Sequence, residues 1–161
     1  MTKNELEKPN DATLILRRLL NAPRELAYQA WTSKEHIPKW MCPEPGMSIP
    51  HVIMDLREGG RYRIQMKKPD GEFVTAAGMF QEVKAPEKLV YTWDWEIDGR
   101  SEDFEELEGK TTLMTVEFYD RAGKTEMILT HSRFASVESR DNHSRGWGRI
   151  LDGLAEFLEK K

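Results

Sequence analysis

The sequence predicts an α+β domain in which a curved antiparallel sheet of about six or seven strands wraps around one long C-terminal helix. Three observations predict this architecture. Apolar and polar residues alternate with a period of two over most of residues 51–134, which is typical of half-buried strands. A first strand and two short helical patterns precede that region, and a long helical stripe follows it. The length of 161 residues fits one domain.

The N-terminal part begins with a polar stretch. Residues 1–11 are predicted to form a flexible tail, and residues 12–161 the single domain. A run rich in Leu and Ile at 13–20 predicts the first strand. Pro23 suits the first turn of a helix, because the backbone N–H that proline lacks would have no partner there. The first short helix is therefore expected to begin at Pro23.

A second short helix is predicted directly after the first. Thr32 and Glu35 match a capping box, in which each side chain accepts a hydrogen bond from the other residue's backbone N–H. Pro38 lies inside this pattern and removes an interior hydrogen bond, so the helix should be short or kinked near Trp40. The prolines and the glycine at 43–50 predict a loop, which we interpret as a mobile flap.

About six further strands are predicted from the alternation, joined by turns that contain glycine or proline. Gly59 and Gly60 are expected to form a hairpin turn, since both tolerate a positive φ. Gly78 lies inside a strand and predicts a bulge or a strong bend. The acidic segment 98–110 predicts either a solvated excursion between strands or a docking patch for a basic partner.

The C-terminal helix is predicted to begin between Ser136 and Ser139. Its apolar residues recur every three or four positions and form one stripe. Glycines at 146, 148 and 153 each cost about 1 kcal/mol relative to alanine inside a helix. They therefore predict a bend or a close approach to other backbone. The stripe consists of Trp147, Ile150, Leu151, Leu154, Phe157 and Leu158.

Charge and composition exclude several classes of protein. The chain has 24 basic and 28 acidic residues, a net charge of −4, and so lacks the basic excess of a nucleic-acid-binding protein. Its one cysteine, Cys42, excludes an intramolecular disulfide and a cysteine-rich zinc site. The sequence contains no apolar run of ~20 residues, so no membrane insertion is predicted, and the charged start does not match a signal peptide. We expect a cytoplasmic protein.

The gap between the sheet and the C-terminal helix is the predicted binding site. The chain has 8 Met and 5 Trp, and two interpretations remain open: bulky fillers of an ordinary core, or the adaptable wall of an apolar ligand pocket. Any sizeable pocket has to be hydrated or occupied, because a dry void is costly. The candidate lining residues are Trp40, Met54, Tyr62, Ile64, Met66, Met79, Trp93, Trp95, His131, His143, Trp147 and Leu151.

Motifs for catalysis or for metal binding are missing from the sequence. No HExxH, paired-His or Cys/His spacing predicts a metal site, no cofactor is implied, and no GxSxG motif predicts a nucleophile. His131 lies in phase with apolar strand residues, so it is either a satisfied, half-buried histidine or a group that orients a ligand. His143 shares a helix face with Trp147, four residues later, which places it near the pocket mouth.

A series of short motifs extends over residues 12–158. The motifs are Ala22-Pro23-Arg24-Glu25, Ala30-Trp31-Thr32, Lys39-Trp40-Met41, Arg57-Glu58-Gly59-Gly60-Arg61-Tyr62-Arg63, Pro69-Asp70-Gly71, Gly78, Ala85-Pro86-Glu87-Lys88-Leu89, Leu129-Thr130-His131 and His143-Ser144-Arg145-Gly146-Trp147, with Leu151 and Leu154 after them. In order and spacing this series resembles the activator of heat-shock ATPase homologue-like group of the SRPBCC, or START and birch-pollen-allergen-like, superfamily. The resemblance implies a helix-grip fold with a cavity beneath the long helix that takes apolar or amphipathic small molecules.

Three functional hypotheses follow from the residues and the resemblance together. The first is a protein that binds a hydrophobic or aromatic small molecule in the cavity. The second is an enzyme similar to polyketide cyclases or hydrolases, in which a pocket His or Tyr moves protons. The third is a co-chaperone-like regulator of a heat-shock ATPase, for which the acidic segment 98–110 is the sole support. The sequence leaves open whether the protein forms a homodimer.

Overall fold

The computed structural model describes residues 12–42, 44–97 and 111–160. The predicted tail at 1–11 and the acidic segment 98–110 lie outside these ranges. Two helices and seven strands are described, together with a short 3-10 helix. The elements are β1 (Leu14–Leu20), α1 (Arg24–Thr32), the 3-10 helix (Ile37–Lys39), β2 (Ser48–Met54), β3 (Arg61–Lys67), β4 (Phe73–Lys84), β5 (Lys88–Ile97), β6 (Thr112–Arg121), β7 (Lys124–Ser132) and α2 (Val137–Glu159).

The strands form one antiparallel sheet in the order β1-β7-β6-β5-β4-β3-β2. From β2 to β7, each strand pairs with the next strand along the chain. β1 pairs with β7 and forms the edge of the sheet opposite to β2. Leu14 stands opposite His131 in that pairing. Because both edges belong to one curved sheet that holds α2, the predicted helix-grip fold is confirmed.

α2 lies against the sheet through its apolar stripe. Ser136 caps the helix, its Oγ accepting a hydrogen bond of 3.0 Å from Ser139 N, so the predicted start is confirmed. Five residues of the stripe are buried, whereas Phe157 is only partly buried. The buried five are Trp147, Ile150, Leu151, Leu154 and Leu158.

One helix glycine makes the close backbone approach that its presence predicted. A Cβ at Gly153 would lie 2.8 Å from the carbonyl oxygen of Trp40, which is shorter than real Cβ contacts. Gly148 differs, since a Cβ there would meet no atom within 4 Å. α2 therefore crosses the backbone that follows the 3-10 helix at Gly153 without any side chain between them.

The second helix is smaller than the sequence predicted. Only the three residues of the 3-10 helix follow α1, and the capping box of Thr32 and Glu35 is not formed. Thr32 Oγ1 instead donates to Tyr28 O at 2.9 Å inside α1, and Ser33 Oγ accepts from His36 N at 3.3 Å. A second short helix is present as predicted, but the predicted capping box was wrong because Thr32 still belongs to α1, where its hydroxyl donates to a carbonyl one turn back.

The two glycines of the turn predicted at Gly59 and Gly60 are needed for different reasons. Gly59 has a φ of +84°, as a tight turn requires, but Gly60 does not have a positive φ. A Cβ at Gly60 would overlap the Asp55 carbonyl oxygen, so this glycine is needed for space. The explanation from positive φ was therefore wrong for Gly60.

Gly78 marks a break in the pairing of β4 with β5. A Cβ at Gly78 would overlap the carbonyl oxygen of Thr92, and Tyr62 Oη donates to that carbonyl at 2.6 Å. The register shift itself comes slightly later, between Phe80 and Glu82. The missing side chain thus lets a buried tyrosine hydroxyl reach the sheet backbone.

Candidate functional site

Aromatic rings from β5 and α2 meet at the centre of the concave face. The ring of Trp93 lies 5.2 Å from that of Trp147 and 6.4 Å from that of Tyr62, centroid to centroid. Trp147 in turn stacks on Trp31 of α1, with 6.1 Å between centroids and an interplanar angle of 15°. These contacts connect the sheet with both helices, so aromatic surface lines the centre of the concave face.

His131 is fully buried on β7 and uses both ring nitrogens. Trp147 Nε1 donates to His131 Nδ1 at 3.0 Å, so Nδ1 has to be the unprotonated acceptor. Nε2 lies 2.7 Å from Thr112 Oγ1, and that hydroxyl donates to the carbonyl of Trp93 at 2.8 Å. Nε2 therefore carries the proton and donates it to Thr112, which completes a chain of directed hydrogen bonds from α2 to β5.

The pKa of His131 lies well below its usual value of 6.5. Burial is the main cause, because it penalises the imidazolium, and the nearby His143 acts in the same direction. The hydrogen bonds also disfavour the imidazolium, because a proton on Nδ1 would point at the N–H of Trp147 and place two donors against each other. His131 is therefore a neutral structural group at neutral pH.

His143 repeats this arrangement at the start of α2. Trp95 Nε1 donates to His143 Nε2 at 3.1 Å, and His143 Nδ1 lies 2.8 Å from the carbonyl oxygen of Ser139. Since a carbonyl only accepts, Nδ1 carries the proton. Burial lowers the pKa of His143 as the larger effect, and the hydrogen bond to Ser139 opposes it. The ring lies 5.4 Å from that of His131.

The two histidines therefore form a pair in which each accepts from an indole N–H and donates to an oxygen. All four ring nitrogens are occupied. Phe134 lies beside both rings, at 4.2 Å from His131 and 4.8 Å from His143. A general base needs a free lone pair directed at its substrate, which neither ring offers in this arrangement.

Trp93 differs from the other tryptophans because its N–H has no acceptor in the part of the chain that the structure describes. Trp31 donates to Tyr91 Oη at 2.9 Å, and Trp40 donates to the carbonyl of Ala30 at 3.1 Å. Together with the donors of the two histidine bonds, four of the five indole N–H groups are therefore paired. Trp93 is only 3% exposed, and its Nε1 has no partner among the described residues. A buried unpaired donor costs about 1–3 kcal/mol.

Most of the sequence-predicted lining residues come together in one buried cluster. Met54, Trp95 and His143 are only half-buried, and Met54 pairs with Tyr62, which puts both side chains on the concave face. Met79 is not brought to the cluster: it stands opposite the exposed Arg61, on the face of the sheet that points away from α2. The buried members are Trp40, Tyr62, Ile64, Met66, Trp93, His131, Trp147 and Leu151.

Several residues that organise the site were absent from the predicted set. Thr112, Ser139 and Phe134 hold the histidines, and Tyr91 accepts from Trp31. Tyr91 lies two residues before Trp93 on β5, so its side chain is on the same face of the sheet, and the alternation along the strand could have identified it. Thr112 stands opposite Trp93 in the sheet, and no pattern along the chain reveals that register.

A separate cavity of about 460 Å³ lies beside α2, against the loop that follows the 3-10 helix. None of the predicted lining residues borders it. The Cys42 thiol on its wall is half-buried, and burial raises the pKa of that thiol. The other walls carry charges of both signs. The lining residues are Cys42, Glu44, Pro45, Gly46, Met47, Arg149 and Asp152.

The part of the chain that the structure describes has neither a candidate metal site nor a membrane-spanning helix. Within it, no group of three or more His, Cys, Asp or Glu side chains is placed to hold a metal ion. Neither α1 nor α2 has an apolar stretch long enough to cross a bilayer.

The family model of Activator of Hsp90 ATPase homolog 1-like protein matches residues 21–159. None of the curated proteins matches the chain significantly.

Solved structures with the same fold share little sequence with the chain. A protein from Chromobacterium violaceum is 23% identical with a TM-score of 0.79, over 92% of this chain and 98% of that one. The AHSA1-like protein from Aeromonas hydrophila is 20% identical with a TM-score of 0.74, over 92% of each chain. CalU16 from Micromonospora echinospora is 21% identical with a TM-score of 0.65, over 91% of this chain and 75% of its own.

Proposed function

The chain belongs to the Activator of Hsp90 ATPase homolog 1-like family, and from that premise we propose that it binds a hydrophobic or aromatic small molecule between the sheet and α2. The fold family is generally ligand-binding, which supports this proposal. The residues that carry the proposal are the aromatic cluster around Trp93 and the half-buried side chains next to it.

The observation that supports the proposal most is the unpaired N–H of Trp93. Buried polar groups in folded proteins are almost always paired, and exceptions call for an explanation such as an unseen partner. The other four indoles of this chain follow the rule. A ligand atom that accepts from Trp93 Nε1 would complete the set.

Adaptable side chains support the same site. Met54 and Met66 both lie on the concave face, where they pair with Tyr62 of β3 and Val74 of β4 respectively. Methionine has three rotatable bonds and a polarisable sulfur, so it repacks around apolar ligands at low cost. Met54 and Trp95 are half-buried, which makes this the part of the cluster that a ligand reaches first.

The enzymatic hypothesis finds less support in the geometry. Proton transfer by a pocket histidine needs a free ring nitrogen, and those of His131 and His143 are taken by protein partners. Tyr62 Oη donates to the Thr92 carbonyl. The chaperone hypothesis rests on the segment 98–110, which lies outside the described residues. We therefore propose binding without catalysis.

The proposal is tested by titrating the apolar fluorophore N-phenyl-1-naphthylamine into the purified protein. Met54→Trp fills the concave side of β2 and should weaken binding about tenfold, equivalent to about 1.4 kcal/mol. Ile53→Trp is the matched control: Ile53 directly precedes Met54, is 47% exposed and points to the opposite face. Equal affinities of the two variants would contradict a site between the sheet and α2.

A further inference from the structure

The environment of the Trp93 N–H restricts the chemistry of any partner it takes. Four rings surround the indole: Tyr62, Trp95, His131 and Trp147 lie within 6.4 Å of it, centroid to centroid. None of these carries a charge at neutral pH, because burial keeps His131 neutral and its hydrogen bonds fit the neutral ring. These four rings offer an anion no counter-charge, and burying an anion without one is strongly unfavourable.

Acceptors near Trp93 are already used by the protein. Nδ1 of His131 accepts from Trp147, Nε2 of His143 accepts from Trp95, and the Trp93 carbonyl accepts from Thr112. A ligand hydroxyl or amide N–H would therefore find no partner among these groups. Around the Trp93 ring itself, the polar group without a described partner is the Nε1–H donor, so a ligand that only accepts satisfies it best.

The arrangement of the rings also indicates the shape of the ligand. Trp95 stands nearly perpendicular to Trp93, at 87° and 5.6 Å, and Trp147 is tilted by 57°. Of the four rings around Trp93, Trp95 is the one that is not fully buried. A flat aromatic molecule that enters along Trp95 presents its edge to Trp93, where an acceptor atom on that edge meets the N–H.

We infer that the ligand of the proposed site is a planar, uncharged molecule with a carbonyl or similar acceptor-only group that accepts a hydrogen bond from Trp93 Nε1. This inference rests on the proposed function and goes further, because it names the ligand class and assigns its recognition to one atom. It predicts discrimination between molecules of nearly equal size that differ in that group.

The experiment uses three probes of one ring system: 9-fluorenone, which carries a ketone, fluorene, which lacks it, and 9-fluorenecarboxylate, which is an anion. Affinities are measured by titration calorimetry with the full chain. Fluorenone should bind about tenfold more tightly than fluorene, as expected for one buried neutral hydrogen bond. The carboxylate should bind most weakly.

The Trp93→Phe variant removes the N–H and keeps an aromatic ring. In this variant fluorenone and fluorene should bind with equal affinity. A readout that needs no variant is the ¹H–¹⁵N spectrum of the wild-type indoles, in which the Trp93 signal should move downfield with fluorenone and not with fluorene. That spectrum decides the matter if the variant does not fold.

The outcomes separate the inference from the proposed function. If fluorene and fluorenone bind the wild-type protein equally and the Trp93 signal responds alike to both, the inference is overturned and the proposed function stands. Tighter binding of the carboxylate also overturns the inference. If none of the three probes binds and N-phenyl-1-naphthylamine does not bind either, the proposed function fails and the inference with it.

Discussion

Trp147 Nε1 donates a hydrogen bond of 3.0 Å to Nδ1 of His131, and this bond joins α2 to β7 in the interior of the protein. Neither residue is more than 2% exposed. The bond selects the tautomer of the histidine, and with it the direction of the hydrogen bond to Thr112. The stability of the interior therefore depends on one neutral imidazole.

Replacing His131 by Phe should destabilise the protein by about 1–3 kcal/mol, because it leaves the buried N–H of Trp147 without an acceptor. The ring volume is largely kept, so the loss reports on hydrogen bonding. His51→Phe is the control on an exposed position of β2, where we expect a change within about 0.5 kcal/mol. Urea unfolding measures both. A His131→Phe variant as stable as the control would contradict this role.

Acid should destabilise the fold below pH 6.5. The pKa values of His131 and His143 are lowered in the folded state, so between 6.5 and the folded values the unfolded chain binds more protons. The free energy of unfolding is then highest above pH 6.5. It decreases as the pH drops, by up to about 1.4 kcal/mol per pH unit for each histidine. Unfolding at several values between pH 5 and 7.5 measures the slope, which His131→Phe should reduce. If the His131→Phe variant had the same slope as the wild-type protein, the lowered pKa of His131 would not be the cause of the acid destabilisation.

Alanine at two helix glycines should have opposite effects. Gly148→Ala should stabilise the protein by about 0.5–1 kcal/mol, because its Cβ meets nothing and alanine is the better helix former. Gly153→Ala places a Cβ 2.8 Å from the Trp40 carbonyl oxygen, so α2 has to shift, and we expect a loss of about 1–3 kcal/mol. Thermal and urea unfolding of the pair compare the two. Equal changes would mean that the close approach does not constrain α2.

The turn between β6 and β7 offers a stabilising substitution. Ala122 has a φ of +56° and is followed by Gly123 at +88°, as in the mirror-image turns of tight hairpins. Asparagine tolerates this conformation better than alanine, so Ala122→Asn should stabilise the protein by about 0.5–1 kcal/mol. Denaturant midpoints check this, with Ala122→Val as the control that should destabilise. A midpoint lowered by asparagine would contradict the assignment.

The sheet and α2 could be predicted because each repeats a local pattern over many residues. Alternation identified β2 to β7, and the stripe that contains Trp147 and Leu154 identified the long helix. The short elements were harder, since Thr32 fits both the end of one helix and the cap of the next. Met79 was assigned to the wrong face for a related reason: β4 has small or apolar residues on both faces, so its alternation does not select one.

The hydrogen bonds of the site could not be predicted from the sequence. His131 meets Thr112 through the register of β6 and β7, and it meets Trp147 through the position of α2 on the sheet. Both depend on tertiary packing. The residue types were informative only as candidates, and the unpaired N–H of Trp93 is visible only when every neighbouring donor has been followed to its acceptor.

The pairing of β1 with β7 has a consequence for how the protein is made. Leu14 and His131 are neighbours across two strands although most of the chain separates them. During synthesis the first strand leaves the ribosome long before its partner exists, and contacts so distant in sequence form slowly. Until β7 arrives, the apolar side of the growing sheet has neither α2 nor its last strand to cover it. Nascent chains of this protein should therefore depend on protection from aggregation late in translation.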